Sequence, residues 1–388
     1  MKDKVDPVVD EAIETLNMKD GPARRNLLKG AGLFSATAAA SALISACTSS
    51  SNSNADTGKA VAGNFPKTPK WQYWFVNHVT TNQFFTPTQY GLADAAALLG
   101  LPTPKWGGSE TSTVSQMTTY MSTAISAKAD GIAVAVIDPN AFKGPVLKAM
   151  NAGIPVLSYN ADGSFVHGKA VIGTNRLAYV GQALFISGQM LGNEIVSRVP
   201  GGGDVAIFIA TPGSGNIQPR YDGAAQVLKS KGGYKLHEVA TGAATGQEQS
   251  AIKAYLLGHK NLKGAFAVDG GSTEFLGPQL KSAGLKIPSG GFDTTGLSLP
   301  NIKSGDMDFT IYQDPYLQGF LPVMYMYLYN LSGGTVVPSD TDTGLSVITK
   351  SSLGNYQVSS RFQGQTTAQK YIKRPAGAIQ NPQATTST

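Results

Sequence analysis

One pattern constrains this fold more than any other: short, unbroken apolar runs, each followed by polar residues and then by the signature of a helix start. The runs fall at Gln72–Val76, Gly131–Ile137, Ile154–Tyr159, Asp204–Ile209, Gly264–Val268 and Asp308–Tyr312. A strand with water on one face alternates apolar and polar residues, whereas a run that is apolar throughout is covered on both faces, as in parallel sheets flanked by helices. Between the runs, Thr86-Pro87-Thr88-Gln89, Thr113-Val114-Ser115-Gln116 and Thr245-Gly246-Gln247-Glu248 have capping-box spacing, and Asp314-Pro315 sets a capping side chain before a proline at the first helical position. Strand, helix, strand in that order, with right-handed crossovers, builds open doubly wound sheets. The chain has about twice the elements that one such sheet uses, and its 388 residues exceed what a single core of ordinary size needs. The expected fold class is α/β, with two doubly wound parallel-sheet lobes.

The residues ahead of the first run read as a targeting segment. Arg24-Arg25-Asn26-Leu27-Leu28-Lys29 precedes an uncharged stretch from Gly30 to Ile44, the pattern of an export signal of twin-arginine type. Leu27 stands where that type more often has Phe, which leaves the general secretory route as the alternative. The stretch closes on Ile44-Ser45-Ala46-Cys47, an aliphatic residue and two small ones before the single cysteine of the chain, which reads as a lipoprotein processing site. A spanning anchor would need a longer and more apolar segment than this one. Residues 1–46 are therefore expected to be the export signal, 47–70 the lipidated Cys47 with a flexible Ser/Asn/Thr/Gly tether, and 375–388 a disordered tail. The expected location is extracytoplasmic, anchored to the cell membrane.

Charge and motifs exclude most other function classes. The net charge of +6 is spread singly, apart from the short group Lys370, Lys373 and Arg374, and no helix-turn-helix or basic–aromatic cluster suggests a nucleic-acid partner. No phosphate-binding loop or nucleophile elbow occurs, and Gly201-Gly202-Gly203 precedes a strand instead of joining strand to helix. His78, His167, His237 and His259 are too scattered for a metal set, and Asp340-Thr341-Asp342-Thr343-Gly344 has half the oxygen pattern of a calcium loop without its closing Glu. Neither metal nor cofactor is expected, nor catalytic residues, although paired carboxylates leave a hydrolase as an alternative.

Polar residues recur where strands end, which is where open α/β sheets bind ligands. Asp138, Asn160, Asp269, Asp293 and Gln313 each follow an apolar run. A carboxylate or amide there can bond two neighbouring hydroxyls. Each could equally be a helix N-cap, a role in which Asp and Asn excel.

These same residues carry a family resemblance. Asn82-Gln83-Phe84-Phe85 after the first strand, Asp130-Gly131-Ile132 leading to Asp138-Pro139, Gly153-Ile154-Pro155-Val156, Gly291-Phe292-Asp293, and Gln313 before Asp314-Pro315 stand in the order and spacing of the ribose-type periplasmic sugar-binding proteins. The chain resembles that family from about Trp71 to Lys350. The resemblance implies a type I two-lobe fold with a multi-strand hinge, and sugar contacts at Asn82, Phe84, Phe85, Asp138, Asn160, Asp269, Asp293 and Gln313. Phe84 and Phe85 would lay ring faces on the C–H face of a sugar, core packing being the other reading. Trp106, Tyr73, Trp74 and His78 could add to the cleft wall or belong to core and rim. Arg220 matches the second arginine of a family pair, while Gln218 occupies the place of the first, ligand-binding one. Asn160 replaces an aspartate and Ala161 an arginine, so the implied ligand is not ribose.

The resemblance further implies a monomer that captures a neutral sugar or polyol and delivers it to an ABC transporter permease. The hinge crossings are expected near Thr174-Asn175, Gln313-Asp314 and Leu345, which puts residues 71–174 with 314–345 in the first lobe and 175–313 with 346–374 in the second. The alternatives are a sugar-sensing receptor component, a cell-envelope glycosidase or esterase, and a cytoplasmic repressor, the last disfavoured because residues 1–70 hold no DNA-binding helix pair.

Overall fold

The computed structural model describes residues 66–374 and 376, apart from 164, 167–168, 171–172 and 357–359. The export signal, Cys47, most of the tether, His167 and, but for residue 376, the tail lie outside the described residues.

The first apolar run forms β1 (Tyr73–Asn77), buried along its whole length at the heart of one sheet. Around it stand β2 (Lys105–Gly108), β3 (Gly131–Val134) and β4 (Val156–Tyr159). A small hairpin of β5 (Phe165–Val166) and β6 (Lys169–Ala170) follows, and then β7 (Tyr179–Gly181) joins the sheet. The second sheet holds β8 (Gly203–Ile209), β9 (Tyr234–Ala240), β10 (Gly264–Ala267), β11 (Ser289–Phe292) and β12 (Phe309–Tyr312). Two late strands complete both sheets: β13 (Thr341–Asp342) the first, β14 (Ser346–Thr349) the second. The orders are β13-β7-β4-β3-β1-β2 and β14-β12-β11-β10-β8-β9, parallel throughout except where β14 runs against β12. Both lobes thus have one doubly wound topology, with switch points between β1 and β3 and between β8 and β10, the expected fold class.

Helices cover both faces. In chain order they are α1 (Thr86–Leu98), α2 (Val114–Ser126), α3 (Pro139–Asn151), α4 (Leu184–Arg198), α5 (Gln218–Lys231), α6 (Thr245–Gly258), α7 (Gly270–Ser282), α8 (Ser298–Ser304) and α9 (Pro315–Leu331). The pleat of β8 shows why an unbroken run was needed. Val205, Ile207 and Ile209 enter one core with Ile195 and Leu228, while Ala206 and Phe208 enter the opposite core with Leu256 and Leu276. Helices begin close to the expected places, but the capping differs. Thr113 makes no side-chain cap bond, and the helices that follow β3, β10 and β12 are capped by Asp138, Asp269 and Asp314. Gly188 lets α4 and α5 cross closely, since a Cβ there would stand 2.1 Å from the Arg220 carbonyl.

The first hinge crossing lies later than expected. Tyr179–Gly181 still pairs with β4 of the first sheet and α4 packs on the second lobe, so the chain crosses at Gln182–Ala183, not Thr174-Asn175. The pairing of Tyr179 and Val180 with Ser158 and Tyr159 holds it there. The other crossings are Gln313-Asp314, between β12 and α9, and Thr343–Leu345, between β13 and β14. Asp340, the first residue of the calcium-like stretch, accepts from Arg176 at 2.7 and 3.1 Å and from the Tyr179 backbone at 2.8 Å. It pins β13 beside β7.

Nor do residues 360–374 all stay on the second lobe. Leu353 packs there with Leu299, Ile302 and Ile348, but Arg361 returns to the first lobe as a strap. Its guanidinium grips Asp94 of α1 through two bonds of 2.7 and 2.8 Å and lies 4.1 Å from the centre of the Tyr90 ring. Gln369 and Tyr316 also donate to Asp94, and Phe362 sits edge-on to Tyr316. Removing the cation leaves a half-shielded carboxylate without its fork, so Arg361→Ala should destabilise the protein by about 1–3 kcal/mol. A lower urea midpoint at unchanged slope is the expected result, and an unaltered midpoint would mean the strap adds nothing to the fold.

Candidate functional site

The carboxyl ends of the two sheets face each other across a cleft of about 570 Å³. First-lobe walls come from His78 after β1, from Asn82 to Phe85 and from Asn160 after β4; second-lobe walls come from Arg220, Glu248, Asp269, Asp293 and neighbours, and Gln313 of the hinge closes the back. The lobes already touch at one edge, where the Gly215 N–H donates to the Ile137 carbonyl at 3.0 Å. A Cβ on Gly215 would lie 2.7 Å from that oxygen.

Eight of the ten residues singled out as ligand contacts line this cleft: Asn82, Phe84, Phe85, Asn160, Arg220, Asp269, Asp293 and Gln313. Asn82 also caps the turn Gln83–Phe85, accepting from the Phe84 N–H at 2.9 Å. Phe84 is half-buried and meets Phe85 edge-on at 4.8 Å, whereas Phe85 is 2% exposed, wedged against His78 and Trp106. Phe84 is therefore the ring a ligand can reach, and Phe85 is its floor. Tyr73, Trp74 and Trp106 belong to the first-lobe core, Trp106 tied to the Thr80 carbonyl at 3.1 Å.

The structure does not bring Asp138 or Gln218 to the cleft. Asp138 accepts from the Asn140 and Ala141 backbone N–H groups at 2.9 and 3.2 Å, so it caps its helix, and it is not among the residues that line the cleft. Gln218 accepts from the Gly213 N–H at 2.6 Å and donates to Asp222 at 3.0 Å, which fixes the loop before α5 and leaves Arg220 alone on that wall.

Arg220 is 3% exposed and donates to the Val268 carbonyl at 3.0 Å and to Gln182 Oε1 at 2.8 Å; its plane covers the Phe292 ring, and its Nε has no partner. Asp269 accepts from the Ala210 and Ser272 N–H groups at 2.9 and 2.8 Å, which shows that one residue can both cap a helix and face the cleft. Asp293 accepts from Gln313 Nε2 at 2.7 Å. Asn160, Asp293 and Asp314 have φ of 64°, 72° and 49°, the left-handed region that non-glycine residues rarely enter. Such strain concentrates at functional sites.

The cleft is acidic and its carboxyl groups are largely buried. Burial raises the Asp293 and Asp269 carboxyls, against the pull of Arg220 and of the N–H groups they accept from. Burial also pushes Glu248 up to about 8, reinforced by Asp269, and raises Glu274. Neither Glu was marked by the sequence, since both lie inside or after helix starts with no strand end to flag them. Burial lowers the His78 imidazole to about 4, so it is neutral at ordinary pH. Among the described residues that line the cleft, Arg220 is the one Arg or Lys, facing five carboxyl groups: Glu110, Glu248, Asp269, Glu274 and Asp293.

Comparison with known proteins agrees with this geometry. The profile of a periplasmic binding protein domain matches residues 73–334. The xylose/arabinose-binding protein XylF of Sulfolobus acidocaldarius is 48% identical over 322 residues, covering 79% of this chain and 78% of the relative. A solute-binding protein of an ABC transporter from Burkholderia graminis, solved with D-arabinose, superposes with a TM-score of 0.67 at 24% identity, covering 76% of this chain and 99% of that one. A carbohydrate transporter protein from Acidothermus cellulolyticus, solved with myo-inositol, gives 0.65 at 24% identity over 74% and 96%.

Glu248 makes the pH dependence testable. Its carboxyl rises from an ordinary 4.5 to about 8 on folding, so between those values the folded chain keeps a proton that the unfolded chain has lost. Its contribution to stability is complete below pH 4.5 and is lost as pH rises through 8. Glu248→Gln should flatten the decline of melting temperature across that window. An unchanged decline would mean that Glu248 is ionised in the folded protein.

Proposed function

The chain belongs to the periplasmic binding protein domain family, and from that premise we propose that it captures a neutral monosaccharide or polyol between its lobes and hands it to an ABC importer. The observation that carries this reading is the chemistry of the cleft. Carboxylates and amides from both lobes and the hinge converge on one space beside the half-buried Phe84 ring, with Arg220 as the single guanidinium. Hydroxyls can donate to the carboxylates and accept from the amides, and the ring receives the apolar face of a sugar. A sugar acid or phosphate would bring its charge into a wall rich in carboxyl groups with one guanidinium to meet it, which disfavours it.

Neither a catalytic nor a cofactor role is part of this reading. The xylose/arabinose-binding relative makes pentoses the first ligands to try. The departures at Gln218 and Ala161 fit a ligand other than ribose: Gln218 faces its own loop, and Ala161 lies fully buried where the family places an arginine. Rotation about the three hinge crossings opens and closes the cleft, and the closed form is what a permease recognises. Export and lipidation at Cys47 hold the protein at the outer face of the membrane, on the reading of residues 24–47.

Ligand that binds only the folded state raises the melting temperature. A thermal-shift screen with neutral pentoses, hexoses and polyols should show a shift, while sugar acids and sugar phosphates should not; a shift confined to the anionic compounds would overturn the proposal. Asp293→Ala should weaken the neutral ligand by about 1–3 kcal/mol, whereas Asp138→Ala should leave affinity unchanged and lower stability by about 1 kcal/mol through its lost cap. Calorimetry on the two variants separates a site residue from a cap.

A further inference from the structure

Behind the cleft runs a chain of side-chain hydrogen bonds whose direction can be read from its ends. Gln313 Nε2 donates to Asp293 Oδ1 at 2.7 Å, so Gln313 Oε1 faces away from Asp293 and accepts from Gln318 Nε2 at 3.0 Å. Gln318 Oε1 in turn accepts from Asn160 Nδ2 at 3.1 Å. Asn160 Oδ1, an acceptor only, lies 3.2 Å from His78 Nε2, and His78 Nδ1 lies 3.3 Å from Ser112 Oγ. A neutral imidazole must then carry its hydrogen on Nε2 and accept from the serine at Nδ1. From Ser112 to Asp293 every link donates in one direction, and the last acceptor is a carboxylate.

Gln318 is the joint of this relay. It is fully buried in α9 and does not line the cleft, and its Nε2 also lies within bonding distance of the Gln313 carbonyl and Thr343 Oγ1. Thr343 donates to the same Gln313 carbonyl at 2.7 Å, so Gln318 ties together two hinge crossings, the first-lobe residue Asn160 and, through Gln313, the second-lobe residue Asp293. An amide accepts at one atom and donates at the other, as an ionised carboxylate of the same shape cannot.

We propose that Gln318 is a positioning residue for ligand specificity: it fixes which atoms of Asn160 and Gln313 point back into the protein, and hence which donors and acceptors of both residues and of Asp293 a sugar meets. The inference rests on the binding reading above. Because a site built to bond particular hydroxyls rejects an epimer that leaves its groups unpaired, the polarity held by Gln318 sets which epimer is preferred.

Gln318→Glu keeps the shape and the acceptor for Asn160 but removes the donor to Gln313. Gln313 must then turn its amide toward the new carboxylate, which sets its carbonyl against Asp293 Oδ1. Wild type and variant are titrated with D-xylose, D-arabinose and myo-inositol at alkaline pH and again at acid pH, because burial raises a carboxyl at this position as it does Glu248. Q318E should bind about tenfold more weakly at alkaline pH, with an altered ratio between the two pentoses, and recover at acid pH, where the protonated carboxyl donates again. His78 and Asp293 within the relay, Glu110 on the first-lobe wall, and Arg220, Asp269, Glu248 and Glu274 across the cleft, titrate or carry charge in both proteins, so the wild-type curve is the baseline. Gln318→Leu, which restores no donor, should show no recovery. Wild-type affinity in Q318E at alkaline pH, or an equal loss for every sugar with no acid recovery, would overturn the proposal. Should wild type bind none of the three nor any neutral compound of the screen, the binding reading fails and the relay is read without ligand. Exchange of the Gln313 side-chain amide, followed by NMR, should then be faster in Q318E than in wild type at alkaline pH and equal to it in acid; identical exchange in the two proteins at both pH values would overturn it.

Discussion

Parallel strands cannot be joined by a tight turn, and from that constraint the rest of this structure follows. Each strand must return over the face of the sheet through a helix, so all carboxyl ends, and the loops that leave them, gather on one edge. Two sheets of the same strand order that exchange chain at three crossings then set their carboxyl ends opposite each other. Whatever side chains follow the strands meet in the space between. In this chain those side chains are a histidine, amides and carboxylates, so the architecture delivers hydrogen-bonding groups from both lobes to one cleft without any of them being adjacent in sequence.

Groups so placed must find partners even when nothing is bound, because an unmet polar group in a buried wall is costly. The structure answers in two ways. Asp269 accepts backbone N–H groups from its own lobe, and Arg220 donates to a strand-end carbonyl and to Gln182, leaving only Nε unmet. Asn160, Gln313 and Asp293 are held by one another through Gln318. Each keeps part of its bonding capacity for a ligand while its orientation is fixed from behind. That is the economy of a pre-organised site: the ligand meets groups that need not be reordered.

The fold was legible because burial on both faces leaves an unbroken apolar run, as in Gly131–Ile137 and Asp204–Ile209. It failed at the margins for the same reason. The edge strand β9 is nowhere fully buried and places exposed Lys235 and Glu238 among its apolar residues, and the short β2, Lys105–Gly108, has two glycines and no run at all. The first hinge crossing was misplaced because β7 contributes only three residues, too few to register. The site was legible to the extent that strand ends mark it. The distinction between Asp138 and Asp269 was not, since both follow strands and both cap helices, yet of the two only Asp269 lines the cleft. Gln318 sits a turn inside α9 with no strand before it, and only its hydrogen bonds reveal its part in the site.

The same geometry bears on how the lobes move. Three crossings lie at the hinge, and two of them, at Gln313 and Thr343, are bonded to each other and to Gln318, which makes that part of the hinge a single polar unit. The crossing at Gln182 joins it indirectly, through the Gln182 Nε2 donation to the Gly344 carbonyl at 3.0 Å, while its Oε1 accepts from Arg220. A guanidinium of the cleft wall is thereby connected to all three crossings. Gln363 to Gln365, which follow Arg361 in the strap, line a pocket shared with Phe84, Asp293 and Thr295. Of the residues held in the left-handed region, Asp314 stands at one of the crossings, directly after Gln313. Hinges absorb rotation at a few element-terminal residues, and Asp314, the cap of α9, is one that is already in an uncommon conformation.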